Sequence, residues 1–193
     1  STALVYGALS IGGFIVVIFL QEVAGFTATA AALALLPVSI GNVLLSSFFG
    51  GLSGKYGPRL FMTAGPIIAG AGYLLLLGMG ESVNYLVTVL PGILLFAVGL
   101  SMTVAPLTAA VLGSVSAAQS GIGSAVNNAV ARVAGLVAIA MLGVIIVGKL
   151  DVDGFHRVLI VTAALLIPGG IVSFVGIRNP TKSAEPSGEQ PAA

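Results

Sequence analysis

The side chains that can do chemistry in this sequence are few, and they sit inside apolar runs. The densest set is Ser120, Ser124, Asn127, Asn128 and Arg132. Asn128 and Arg132 are four apart, so a helix stacks them on one side. Such a pair offers a cation held by an amide, able to orient a bound molecule in a water-filled cavity. The plainer reading of Arg132 is a snorkelling anchor near the bilayer edge. Ser39, Asn42 and Ser46 recur on one helical face, and Tyr6, Ser10 and Gln21 share a face with Phe14 and Val17. Asn42 serves either to contact a ligand or to bond another helix, the latter worth about 0.6 kcal/mol. Phe14 and the aliphatic side chains around it can accept apolar bulk.

These groups need a scaffold, and composition dictates which. Of 193 residues 58% are hydrophobic and 7% charged, with a net charge of +1. An ordinary soluble domain is about 25% charged. Seven Lys+Arg, six Asp+Glu and one His cannot cover a water-facing surface. A soluble enzyme, a nucleic-acid binder and a disordered chain are excluded together, and the net charge gives no ground for binding polyanions. With no Cys, disulfides, thiolate zinc sites and cysteine nucleophiles drop out as well. No cofactor or metal is expected. A membrane-embedded enzyme would need an intramembrane His, Asp or nucleophile–base pair, which the apolar runs lack.

A bilayer core about 30 Å thick takes roughly 20 helical residues. Six runs suffice: 3–20, 30–49, 60–78, 85–112, 123–147 and 158–177. Turn and charge signals separate them at Gln21-Glu22 with Gly25, at Lys55 to Arg59, at Gly80-Glu81-Ser82 and at Lys149 to Arg157, with an uncharged break at 113–120. Barrel strands would alternate over about ten residues, and these runs do not. The expected fold class is an all-α membrane protein with six transmembrane helices in residues 1–177. Residues 178–193, rich in Pro, Glu and Ser, read as a disordered cytoplasmic tail. Lys55, Arg59, Arg178 and Lys182 fall on the side of both chain ends, and Lys149 and Arg157 on the other. The excess of cations puts both ends in the cytoplasm. The opening at Ser1, without a basic or signal-like stretch, reads as a chain cut from something longer.

Glycine, at 27 residues, lets membrane helices approach closely. Pro37, Pro66, Pro91, Pro106 and Pro168 fall in or near the runs and kink helices, as suits a protein whose helices rock. No Asp or Glu lies within a run. A carboxylate that loads and releases a proton inside the membrane must therefore come from elsewhere. His156, beside Arg157, is expected in a solvated loop. The chain reads as half of a transporter.

Three stretches carry a resemblance. Gly50-Gly-Leu-Ser-Gly-Lys-Tyr-Gly-Pro-Arg59 is similar to a loop signature in which Gly50, Lys55, Gly57 and Arg59 fit, while Gly54 stands where the signature has Asp. Residues 90–108, from Leu90-Pro-Gly to Ala105-Pro-Leu-Thr108, look like a G-x-G…P-x-x-T span, and residues 121–143 like an A-S-G…N-x-x-R-x-x-G run. Together, in this order, they resemble the C-terminal six helices of a major facilitator superfamily transporter of the fourteen-helix drug:proton antiporter branch. The resemblance implies a 3+3 helix repeat, half of that superfamily's fold. The first, second, fourth and fifth helices would face a central cavity, and the third and sixth would lie peripherally. It further implies proton-coupled efflux of hydrophobic or amphipathic compounds across the plasma membrane by alternating access, with a missing N-terminal half of the same polypeptide as partner. The substrate would be a small molecule, the surroundings lipid, and no nucleic acid is involved. Asn42, Asn127, Asn128 and Arg132, with Tyr6, Phe14 and Gln21, are the substrate-binding candidates. The competing reading is a non-transporting six-helix scaffold or assembly subunit.

Overall fold

The computed structural model describes residues 2–80, 83–113, 116–146 and 150–177. The tail at 178–193 lies outside the described residues, and so do Glu81, Ser82, Val147 and Lys149. The described chain forms α1 (Thr2–Glu22), α2 (Ala28–Ala34), α3 (Leu36–Tyr56), α4 (Pro58–Leu75), α5 (Leu90–Gly113), α6 (Ser120–Ile145) and α7 (Val152–Gly176). A 3-10 turn, Leu76–Gly78, prolongs α4, and a π-helical turn, Tyr85–Val89, leads into α5. With α2 and α3 counted as one span, six helices are long and apolar enough to cross a membrane. The chain is a multi-pass membrane protein, and no strand occurs among the described residues.

Two elements depart from the apolar runs. The second span is broken at Leu35. Pro37 has no N–H to give and cannot sit inside a helix without distortion, so α3 begins anew at Leu36 with this proline in its first turn. Val38 then donates to the Leu35 carbonyl, and the Ala34 carbonyl that Val38 would have served accepts the Tyr85 hydroxyl at 2.9 Å instead.

The sixth span starts at Val152, six residues before the apolar run. The Asp151 carboxylate accepts the Gly154 N–H at 2.7 Å and caps the helix, while Asp153 suits its positive end. His156 is consequently helical and half-buried rather than in a solvated loop. Its Nε2–H donates to the Met79 carbonyl at 2.9 Å, since a carbonyl can only accept. Glu22 and Asp153 thus lie in terminal turns of spanning helices. At 1.5 Å per residue α7 is roughly 37 Å long, which leaves its first turn outside a core of about 30 Å, and Glu22 is the last residue of α1.

The helices pack as a row: α3 on α5, α5 on α4, α4 on α7, α7 on α1 and α1 on α6. In span order this is 2-4-3-6-1-5. Exchanging spans 1 with 4, 2 with 5 and 3 with 6 returns the same row reversed, which is the pairing a 3+3 repeat requires. Spans 3 and 6 form its middle and turn exposed, wholly apolar side chains outward, among them Leu74, Leu75, Ile171 and Val175. Spans 2 and 5 form its ends. Only 11% and 17% of their apolar windows are buried, against 44–50% in the other four.

The row is held by backbone contact at α4–α5. A Cβ on Gly65 would come within 2.9 Å of the Gly99 carbonyl oxygen, and one on Gly99 within 2.6 Å of the Gly65 carbonyl oxygen. Seven residues along, a Cβ on Gly72 would meet the Gly92 carbonyl oxygen at 2.8 Å, and one on Gly92 the Gly72 carbonyl oxygen at 2.9 Å. Over two turns the antiparallel helices thus come within reach of each other's backbone, beside the Thr103 hydroxyl at Gly65 and the Leu76 side chain at Gly92. At the α4–α7 seam Gly170 lies as close to the Thr63 carbonyl, with 2.7 Å to an added Cβ. Above it the Phe19 and Phe155 rings stack at 3.9 Å between α1 and α7.

Gly99→Ala is therefore expected to lower the unfolding free energy by about 1–3 kcal/mol, because the overpacked atoms are backbone and cannot rotate away. Gly54→Ala, whose Cβ would meet nothing within 4 Å, should stay within about 0.5 kcal/mol. Thermal unfolding of the two variants in detergent checks the contrast.

Candidate functional site

Most hydroxyls in the spans are self-satisfied. Ser10 donates to the Tyr6 carbonyl, Thr103 to Gly99, Thr162 to Val158 and Ser173 to Gly169, each four residues back at 2.7–2.9 Å. This is how Ser and Thr settle in lipid, so these residues carry little functional information. The amides, the cations and one phenol remain.

Asn42 lies half-buried on α3, facing α5. Ser46 directs its hydroxyl to the Asn42 backbone carbonyl, with the Asn42 Oδ1 at 2.9 Å as a second acceptor, and that Oδ1 is approached by the Ser101 hydroxyl at 3.4 Å. Ser101 has one proton and directs it to the Ala97 carbonyl at 2.8 Å, so the contact between helices is secondary. Asn127 on α6 makes the firmer bond, its Oδ1 accepting from Thr2 of α1 at 2.9 Å. The asparagines expected to act together are separated. Asn127 turns toward α1, beside an open cavity of about 530 Å³ that Thr2 and Gln119 also line. Asn128, a step of about 100° further round, is exposed, and so is Arg132. Ser124, Asn128 and Arg132 therefore form one open stripe along the least packed side of α6, without Asn127.

On α1, Phe14 is 45% exposed on the open side, Tyr6 is half-buried, and Gln21 bonds only its own Val17 carbonyl, at 3.4 Å. No described cavity is lined by two of the seven candidate residues. They sit on open surfaces of α1, α3 and α6, not inside an enclosed pocket.

The loop signature turns out to be almost all helix. α3 runs through Lys55 to Tyr56 and α4 starts at Pro58, so the turn is Gly57 alone, at φ 86°. That backbone conformation explains this glycine. Close helix approach does not explain Gly54, which faces open space, and Gly50 meets Ala105 only at ordinary contact distance. Arg59 has a definite role. Its Nε–H donates to the Phe174 carbonyl at 2.7 Å in the last turn of α7, and its guanidinium lies 4.2 Å from the Phe174 ring centroid. A cation on a helix C-terminus and over an aromatic face is favourable on both counts, and it fastens span 3 to span 6.

One feature escaped the sequence reading. α1, the α2–α3 break, α4 and α5 border a half-open cavity of about 270 Å³ lined by Gly12, Gly13, Val38, Ser39, Tyr73 and Phe96 among others. Pro37 marked the break, but nothing in the sequence said which side chains from three other helices would meet there.

Asn127→Ala should cost roughly 0.6 kcal/mol by losing its bond to α1, whereas Asn128→Ala should leave stability within about 0.5 kcal/mol. Unfolding of the two neighbours, measured side by side, tests the split between faces.

No protein-family model matches the chain. It is similar to the multidrug resistance protein Stp of Mycobacterium tuberculosis, in strain CDC 1551 / Oshkosh and in strain ATCC 25618 / H37Rv alike. Each is 29% identical over 133 residues, a stretch that takes in 69% of this chain and 24% of the relative. The chain thus spans about a quarter of the length of these curated relatives.

Proposed function

We propose that the chain is the C-terminal six-helix half of a secondary transporter of major facilitator type, exporting hydrophobic or amphipathic compounds from the cell. The observation that carries this reading is the open stripe Ser124, Asn128, Arg132 on α6. Arg132 stands near the middle of α6 (Ser120–Ile145), and an arginine at mid-core that faces lipid costs about 2.5–3.5 kcal/mol, so that stripe belongs against water and a second bundle. The poorly packed ends of the row, α3 and α6, are the surfaces where an N-terminal half would dock. Likeness to a multidrug resistance protein of which the matched stretch is 24% agrees with a partner half in the same polypeptide.

In this reading Asn128 and Arg132 face the central cavity and orient polar groups of the substrate, while Asn42, turned to α5, and Asn127, bonded to Thr2, border it and hold the flanking helices. Tyr6, Phe14 and Gln21 on α1 supply the apolar and amide wall. Coupling to protons rests on carboxylates of the other half, because the acids described here sit in terminal turns. Rocking of the two halves exposes the cavity to each side in turn. The excess of Lys55, Arg59, Arg178 and Lys182 over Lys149 and Arg157 supports a cytoplasmic side for Lys55 and Arg59 in a plasma-membrane protein.

Arg132→Ala in the complete polypeptide should cut efflux of an anionic amphipathic dye at least tenfold while leaving membrane abundance near normal. Lost abundance with normal flux per molecule would contradict the cavity role and favour a scaffold.

A further inference from the structure

Among the described residues Arg132 is the one charged side chain near the middle of a span; the others stand at or near helix ends. Its guanidinium stays charged at any pH a cell meets. Ser124, Asn128 and Arg132 recur at every fourth residue, so they rise along one face over about 12 Å. All three are exposed, and none makes a hydrogen bond or ion pair among the described residues. Asn127, one residue away, is bonded to Thr2, so the unused donors belong to this face alone. The nearest described acid along α1 is Glu22, at its far end.

The contacts of α6 with α1 show what lies beside that face. Thr2 bonds Asn127, a Cβ on Gly7 would meet Ala134 and Ala138, and one on Gly135 would stand 2.5 Å from the Ser10 hydroxyl oxygen. The two helices therefore run parallel, with Tyr6 level with Arg132 and Phe14 about 12 Å beyond. Arg132 and Gly135 are three apart and share a side of α6. The arginine thus stands next to the side of α1 that carries Tyr6, Ser10 and the 45% exposed Phe14.

Charge decides what fits. Arg132 can only donate, and a carboxylate or sulfonate takes two of its N–H groups in parallel. The Asn128 amide, one turn away, adds a further donor. In a cavity with apolar walls the unneutralised cation attracts an anion and repels a cation. Donors at one level and an aromatic ring about 12 Å further on suit a molecule with an anionic head and an aromatic body.

We infer that the Ser124, Asn128 and Arg132 face is the binding site for an organic anion, its carboxylate or sulfonate held by Arg132 and Asn128 and its aromatic body lying along α1 toward Phe14. That this anion is cargo, and that a second bundle leaves the face open to it, rest on the export reading. The stripe then selects among amphipathic compounds by charge, favouring anions over neutral or cationic molecules of the same size.

The test uses 8-anilinonaphthalene-1-sulfonate and N-phenyl-1-naphthylamine, dyes with one ring frame, of which only the first carries a sulfonate. Each is titrated into the complete natural polypeptide in nanodiscs of zwitterionic lipid, with the signal of empty nanodiscs subtracted. Arg132→Gln should weaken the sulfonate about tenfold, the worth of one charge-assisted hydrogen bond, and leave the neutral dye within twofold. Arg132→Lys keeps the charge without the parallel donors and should recover part of the loss. Asn128→Ala should weaken the sulfonate about threefold. The melting temperature of Arg132→Gln should stay within about 2 °C, since no partner is lost. A sulfonate affinity indifferent to Arg132→Gln, or an equal loss for both dyes, would overturn the anion site. A clear fall in melting temperature would overturn it too, assigning Arg132 to an ion pair with the other half. Arg132-dependent binding of the sulfonate by a polypeptide that expels neither dye from cells would refute export and leave the site standing. Export of both dyes undiminished in Arg132→Gln would do the reverse.

Discussion

Everything in this bundle depends on the close backbone approach of α4 and α5. In lipid there is no hydrophobic gain from bringing two helices together, so close packing itself must hold them. Gly65 against Gly99 and Gly72 against Gly92 let the two helices approach until an added Cβ would stand under 3 Å from the facing backbone. Gly170 continues the arrangement from α4 to α7. The middle of the row is thereby fixed, and its ends are not. α3 and α6 each rest on a single major neighbour and keep most of their surface uncovered.

Polar groups divide along the same line. Within the row they are consumed: hydroxyls return to their own helix, Arg59 closes on the end of α7, Asn127 on Thr2, His156 on Met79. At the open surfaces of α1 and α6 they are not, and there lie Phe14, Ser124, Asn128 and Arg132. The exception inside the row is Tyr73, whose buried hydroxyl is packed against Gly12 without a partner, beside the break that Pro37 imposes on span 2. Helix packing accounts for the first group. The groups it leaves over at the open surfaces are those available to another bundle or a bound molecule.

How much of this the sequence made legible follows from what each feature depends on. The six spans were readable because continuous apolar runs of membrane length admit one secondary structure and charges mark their ends. Gly57 was readable as a turn. The helical start of α7 was not, since hydropathy stops at the charges of Asp151 to Arg157 whereas the cap and the His156–Met79 bond carry the helix through them. Asn127 and Asn128 looked like one stripe because spacing alone does not say where the neighbouring helix lies; α1 falls on the side of the former. The small residues of spans 3 and 4 were visible as a class, but which of them face backbone, and that Gly54 faces nothing, depends on the register of two helices.

The central claim is that the polar stripe of α6 faces water while the backs of α4 and α7 face lipid. The chain contains no native cysteine, so single cysteines report without background. Ser124→Cys and Asn128→Cys, set against Leu75→Cys and Ile171→Cys, would be treated with a membrane-impermeant maleimide in open membrane fragments of cells expressing the complete polypeptide. The account predicts rapid labelling of the first two and essentially none of the second two. Equal protection of all four positions would contradict it, placing α6 in lipid or in a dry interface and removing the cavity on which the proposed export stands.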